Sequence, residues 1–210
     1  MGIHVHDVKQ WLLYANTRIQ EEKAYLTALD QAVGDGDHGI NLARGFQEVA
    51  IKMEETAYSD IGSLLQDVGM VLLSKVGGAS GPLLGTAFMK AAMVCKGKTE
   101  VSIADLGAAL QEAVNGIKLR GKAELSNKTM LDVWEPVAHY VQEQAEQLSW
   151  IELNDFARLC MEKTKEMEAK KGRAAYLGPR SVGHLDPGSV STYLLIEALC
   201  TTMNRSEEQK

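Results

Sequence analysis

Apolar residues return at three- and four-residue intervals in eight separate stretches of this chain, and no stretch alternates with period two for long enough to require a strand. The first stretch runs from about Asp7 to Leu29, with Val8, Leu12, Ala15, Ile19, Leu26 and Leu29 on one stripe. The second begins near Gly39 and carries Leu42, Phe46, Val49 and Met53; the third covers about Asp60 to Lys75. Pro82, well suited to a first helical turn, opens the fourth, which reaches about Lys96. Ser102 is the N-cap of the fifth, and the sixth starts near Met130. Ser149 and Glu152 form a capping box for the seventh, which ends near Lys170; the eighth spans about Gly188 to Thr202. The expectation is an all-α fold, one domain over residues 1–210.

The joints between these helices are of two kinds. Those after the second, fourth and sixth helices are short and polar. Those after the first, third, fifth and seventh are rich in Gly, Asp and Ser. In an up-and-down arrangement all four of these richer loops fall at the same end, so the sequence puts every unusual loop on one rim.

A domain of 210 residues buries roughly 70% of its extended-chain surface and needs no staples. Lys and Arg number 22 against 28 Asp and Glu, a net charge of −6 that argues against a nucleic acid or an anionic membrane as the main partner. Cys95, Cys160 and Cys200 lack metal-ligand spacing and read as small core residues in a reducing compartment. No run approaches the about 20 apolar residues a membrane span needs, and the N-terminus lacks the features of a signal peptide. The expected location is the cytoplasm, with His4 and His6 in a loose N-terminus.

The first rim loop, Asp30 to Gly39, holds Asp30, Asp35 and Asp37, with Gly34 and Gly36 between them. Unpaired carboxylates packed together repel, and a hard cation such as Mg²⁺ removes that repulsion while keeping sites for water and phosphate. The other reading is a solvated acidic turn with helix-capping aspartates. His38 is open between metal, phosphate and helix capping, and Gly39, Ile40 and Asn41 offer backbone donors at a helix start. In the second loop, Val76 to Pro82, Gly77 or Gly78 fits a left-handed position and Ser80 an N-cap, and either turning or phosphate binding accounts for them.

The third loop, Arg120 to Met130, follows a stretch that superficially resembles a P-loop, but Ala123 stands where Ser or Thr is needed and a helix precedes it instead of a strand. As a plain loop it can wall a nucleotide base with Gly121 and Met130. The fourth, Lys170 to Gly188, is long enough to be functional or disordered. Its Arg173 and Arg180 can pair with phosphate, with aspartates across the rim, or with solvent. His139 reads as a packed or surface histidine. No covalent catalyst can be picked out, which suits phosphoryl transfer, where positioning and charge neutralisation carry most of the catalysis.

The stretch Asp30–Gly39, with Val76-Gly-Gly-Ala-Ser-Gly-Pro82, Arg120-Gly-Lys-Ala123 and Gly183-His-Leu-Asp-Pro-Gly188, resembles the nucleotide-binding L subunits of dihydroxyacetone kinases over essentially the whole chain. The resemblance implies an eight-helix antiparallel barrel with nucleotide at one end. It implies magnesium on Asp30, Asp35 and Asp37, and phosphates lined by His38, Gly39, Ile40, Asn41, Ala79 and Ser80. It further implies Gly121 and Met130 beside the nucleoside, and Arg173, Asp186, Pro187 and Gly188 in a closing loop. In the bacterial system it resembles, resident ADP is rephosphorylated to ATP by a phosphohistidine-carrying M subunit of the sugar phosphotransferase system. The γ-phosphoryl then passes to dihydroxyacetone on a separate K subunit. An ATP-exchanging subunit for dihydroxyacetone or another small polyol, and a helical adaptor without ligand, are the competing readings. A homodimer and a monomer both remain open.

Overall fold

The computed structural model describes residues 2–208, apart from the side chain of Glu146. Its α-helices are α1 (Val5–Glu21), α2 (Lys23–Val33), α3 (His38–Glu55), α4 (Ile61–Lys75), α5 (Ser80–Val94), α6 (Ile103–Gly121), α7 (Leu131–Gln144), α8 (Trp150–Lys163) and α9 (Pro187–Glu208). Helix α2 packs outside on α3; with it left aside, α1 packs on α3, each later helix packs on the next, and α9 returns to α1, closing a ring of eight. Side chains at Leu12, Ile19, Phe46, Leu64, Val68, Val114, Val137 and Leu153 are wholly buried inside it. Each such burial stabilises the fold by roughly 1.5–3 kcal/mol. Trp11 stacks on Phe88 with ring centroids 5.9 Å apart, and its indole N–H donates to the Leu195 carbonyl at 2.9 Å. An apolar pocket of about 50 Å³ lies among Trp11, Phe88, Trp134 and Leu199. All three cysteines are buried. No helix among the described residues is long and apolar enough to cross a membrane.

The structure departs from the periodicity in four places. The expected first helix is two, α1 and α2, broken at Glu22 (φ −90°, ψ 5°), where the stripe lapses between Ile19 and Leu26 and polar Glu22 and Lys23 intervene. The N-terminus is not loose: β1 (Gly2–His4) pairs antiparallel with β2 (Glu100–Ser102), and the His4 N–H donates to Asp7 Oδ2 at 2.9 Å at the start of α1. Two three-residue strands are too short to show period two, so the signal was below detection.

At Ser149 only half of the expected box forms, with the Glu152 N–H donating to Ser149 Oγ at 3.4 Å. Helix α8 stops at Lys163 instead of near Lys170, passing into a 3₁₀ turn, Thr164–Glu166, because Thr164 turns its hydroxyl back onto the Met161 carbonyl at 2.7 Å. Ser102 caps α6 as expected, and its box partner is Asp105.

Candidate functional site

Asp30 lies in the last turn of α2, Asp35 in the link that follows, and Asp37 immediately before α3. Gly36 turns that link at φ +75°, a conformation costly for any side chain bearing Cβ. One oxygen from each aspartate lies within 4.8 Å of the others. Asp30 is fixed in place, its Oδ2 accepting from the backbone N–H groups of Asp37 (2.9 Å) and His38 (3.2 Å). Octahedral Mg²⁺, with ligands at about 2.0–2.1 Å, sets neighbouring oxygens about 2.9 Å apart, so a closer approach of the three side chains brings this all-oxygen set onto one ion. The residues fit magnesium. Arg173, from the 3₁₀ run Arg173–Ser181, reaches across to Asp35 at 2.7 Å, one of the two pairings its charge suggested.

His38, the first residue of α3, is buried, and both ring nitrogens are engaged. Nε2 lies 3.0 Å from Ser191 Oγ, and Nδ1 lies 3.1 Å from Ser80 Oγ. Because the Ser191 hydroxyl donates to the Gly188 carbonyl (3.0 Å), it accepts from Nε2–H, and Nδ1 accepts from Ser80. Burial holds the imidazole below its ordinary pKa, opposed by the charges of Asp30 and Asp37 and a bond to the Pro187 backbone. Ser80 is therefore not the expected N-cap of α5. It is the first helical residue, its hydroxyl spent on His38, and Pro82 is third. Of the two candidate glycines, Gly78 takes the left-handed turn (φ +65°).

The four rim loops enclose one cavity of about 720 Å³. Helices α3, α5, α7 and α9 all begin beside it, as an up-and-down ring requires, and the N–H groups of Gly39, Ile40, Ser80 and Gly81 have no acceptor among the described residues. Asp30, Asp35, Asp37, His38, Ala79, Ser80, Gly121, Met130, Arg173, Asp186, Pro187 and Gly188 line the cavity together. Gly39, Ile40 and Asn41 stand in the first turn of α3 behind that wall. Ile40 is exposed, and Asn41 Oδ1 accepts from Arg44 at 2.8 Å. Arg180 also lies outside the cavity, and His139 is on the surface. Leu83, Ile117, Ala123 and Met130 give one wall an apolar character.

Asp186 carries more than a loop position implied. Its carboxylate accepts from the Ser189 N–H at 2.6 Å and caps α9. Burial pushes it up to about 7, against the hydrogen bonds from Ser189, with Asp132 raising it and Lys128 lowering it. Sequence reasoning missed two partners, Ser191 and Lys128. Ser191 sits one turn after Gly188 and was legible as a rim residue. Lys128 gave no signal, since a lysine in a polar loop reads as solvated.

A DAK2 domain model matches residues 32–201. The chain is 44% identical over 193 residues to the ADP-binding subunit DhaL of PEP-dependent dihydroxyacetone kinase 1 from Listeria innocua, covering 92% of this chain and 94% of that protein. It is 39% identical to the corresponding Escherichia coli subunit, covering 95% and 97%. Human triokinase/FMN cyclase is 32% identical over 83% of the chain, which spans 31% of that protein. The fold is similar to the dihydroxyacetone kinase of C. freundii in its native form (TM-score 0.76, 23% identity), covering 92% of this chain and 34% of that one. It is also similar to that enzyme in complex with AMP-PNP and Mg²⁺ (TM-score 0.75, 22% identity), covering 96% and 34%. Matched by the domain model over most of its length and by DhaL subunits over nearly all of theirs, the chain belongs to the DAK2 domain family, in the group of the DhaL subunits of PEP-dependent dihydroxyacetone kinases.

Proposed function

We propose that this chain is the ADP-binding subunit of a PEP-dependent dihydroxyacetone kinase, carrying the nucleotide with Mg²⁺ as a phosphoryl shuttle. The observation that carries the reading is three aspartate oxygens gathered within 4.8 Å beside a cavity where four helices begin. Asp30, Asp35 and Asp37 hold the metal, whose bound charge neutralises the phosphates and orients them. The free N–H groups of Gly39, Ile40, Ser80 and Gly81 face phosphate oxygens, helped by the helix dipoles. Gly121, Met130 and the apolar wall take the nucleoside, and Arg173 moves between Asp35 and the phosphates.

The donor is a phosphohistidine on the M subunit of the phosphotransferase system. The acceptor is dihydroxyacetone held by the K subunit, since no residue of this cavity is set to bind a sugar covalently. All three proteins meet in the cytoplasm.

The test is to purify the protein without added nucleotide, denature it and identify what is released by chromatography. Near-stoichiometric ADP supports the shuttle. Empty protein that then binds ATP with magnesium supports an ATP-exchanging subunit for dihydroxyacetone or another small polyol, and protein that binds neither overturns both.

A further inference from the structure

Lys128 is a lysine where none is expected, only 1% exposed and held at φ +58°. Asp132 secures that strained backbone, its carboxylate accepting from the N–H groups of Ser126 (2.5 Å) and Thr129 (2.7 Å) on either side. The ammonium donates to the carbonyls of Met167 (2.9 Å) and Ser181 (2.5 Å). Those carbonyls mark the two stems of the fourth rim loop: Met167 ends the 3₁₀ turn after α8, and Ser181 ends the 3₁₀ run that begins at Arg173.

Other bonds close the same base. Ser181 Oγ accepts from Ala169 N–H (2.8 Å) and donates to the Gly178 carbonyl (2.6 Å). The N–H of Lys170 donates to the Asn127 carbonyl at 3.1 Å, and that of Gly183 to the Lys165 carbonyl at 2.7 Å. Beyond this base the tip is open, with Arg173 67% exposed along its side chain and Tyr176 90% exposed. On its other side Lys128 is followed by Thr129 and Met130 of the cavity wall, and the Thr129 carbonyl accepts from Ser189 Oγ at the start of α9 (2.7 Å). Burial lowers the ammonium's pKa and the nearby Asp186 raises it. Burying an ammonium is costly, and here its bonds to the two stem carbonyls offset that cost.

We propose that Lys128 is a positioning residue of the nucleotide site, its ammonium locking both stems of the 167–181 loop to the Thr129–Met130 wall and so setting where Arg173 meets the bound phosphates. The assignment rests on the nucleotide reading for its consequence and on the hydrogen bonds alone for its geometry.

The experiment pairs Lys128→Met with Arg173→Ala. A fluorescent ADP analogue is bound with Mg²⁺, and its release is timed in a chase. Lys128→Met, which leaves the Met167 and Ser181 carbonyls without this donor, is expected to fold with a modestly lowered ligand-free melting temperature and to release the analogue about tenfold faster, the scale of one charge-assisted hydrogen bond. In the double variant it adds nothing to Arg173→Ala, because both act through the same contact. Release at the wild-type rate, or effects that multiply, overturns the proposal.

Hydrogen exchange in ligand-free protein separates this from the nucleotide reading. Lys128→Met should hasten exchange at the Ala169, Lys170 and Gly183 amides whether or not ADP binds, and unchanged exchange there overturns the clasp itself. A wild-type protein that binds no analogue instead refutes the nucleotide reading. Should Lys128→Met not fold, Lys128→Gln, which keeps one neutral donor, carries the same measurements.

Discussion

Replacing Asp35 by Asn separates ligation from stability more sharply than any other change at the rim. In the ligand-free protein Asp35 meets Arg173 at 2.7 Å, with side chains 37% and 67% exposed. An ion pair so open to solvent stabilises by about 0.2–1 kcal/mol. The substitution also relieves repulsion from Asp30 and Asp37, which opposes that loss. The net change without ligand is therefore below about 1 kcal/mol, or about 4 °C at most in the melting temperature of a chain this size.

Magnesium and ADP at 100 times the dissociation constant add about 2.7 kcal/mol to the wild type, a rise of about 5–11 °C. Asn offers one neutral oxygen where the metal wants a carboxylate, so at the same concentrations the rise in Asp35→Asn should shrink to about 2 °C or less. Differential scanning fluorimetry with ADP, with magnesium, and with both reads all of these terms. A full rise in the variant refutes Asp35 as a ligand. A ligand-free melting temperature lowered by more than about 10 °C refutes the argument that the pair contributes little to the fold.

Asp105 pairs with Lys98 and accepts from Ser102, and these contacts hold its carboxyl down to about 2. A depressed pKa contributes stability above the unfolded value near 3.9 and loses it as pH falls toward 2. Asp105→Asn should cost about 1 kcal/mol at pH 7 in urea unfolding, discounted for the pair's exposure, and the cost should fade between about pH 4 and pH 2. Gly39→Ala puts a methyl 2.3 Å from the Lys23 carbonyl oxygen and 2.5 Å from Thr27 Oγ1, so it should destabilise by about 1–3 kcal/mol and shrink the magnesium-ADP melting rise by displacing the start of α3. Phe46→Ala empties the centre of the barrel and should cost about 3–5 kcal/mol by denaturant unfolding, while the variant, where folded, still binds ADP.

The ring and its rim were legible because both follow from period and loop chemistry. Stripes such as Leu42, Phe46, Val49 and Met53 mark an inward face wherever it ends up in space, and all four are buried on α3. The grouping of the four loops needed only the rule that short joints link antiparallel neighbours. What was not legible depended on distance in the chain. Nothing near His4 signals that Glu100 will pair with it, and nothing near Ser80 signals that its hydroxyl faces His38 instead of its own helix. Lys128 is the extreme case. Its burial exists only because loop 4 folds back over loop 3, so a residue that reads as solvent-exposed in sequence becomes one of the most buried in the fold.

The hydrogen bonds of His38 bear on the chemistry of the whole cavity. A histidine beside three aspartates at a phosphoryl-transfer site invites a role as nucleophile or general base. Nδ1 faces the Ser80 hydroxyl and Nε2 the Ser191 hydroxyl, so both ring nitrogens are tied to neighbouring elements. Ser191 is in turn committed to the Gly188 carbonyl. The ring therefore acts as a fixed strut between the starts of α3, α5 and α9, and burial keeps it neutral so that the strut does not add charge. Cys95, Cys160 and Cys200 are buried in the fold and none lines the cavity. Among the described residues, the cavity wall presents carboxylates, backbone donors, the cations Arg120, Lys128, Lys171 and Arg173, and the hydroxyls of Ser80 and Thr129. Such a wall can orient a phosphate chain and balance its charge without taking a phosphoryl group onto the protein. A subunit that carries its phosphoryl on a nucleotide needs those properties, and this requirement explains why the residues that make the site are positioned so heavily by helix starts and so little by catalytic side chains.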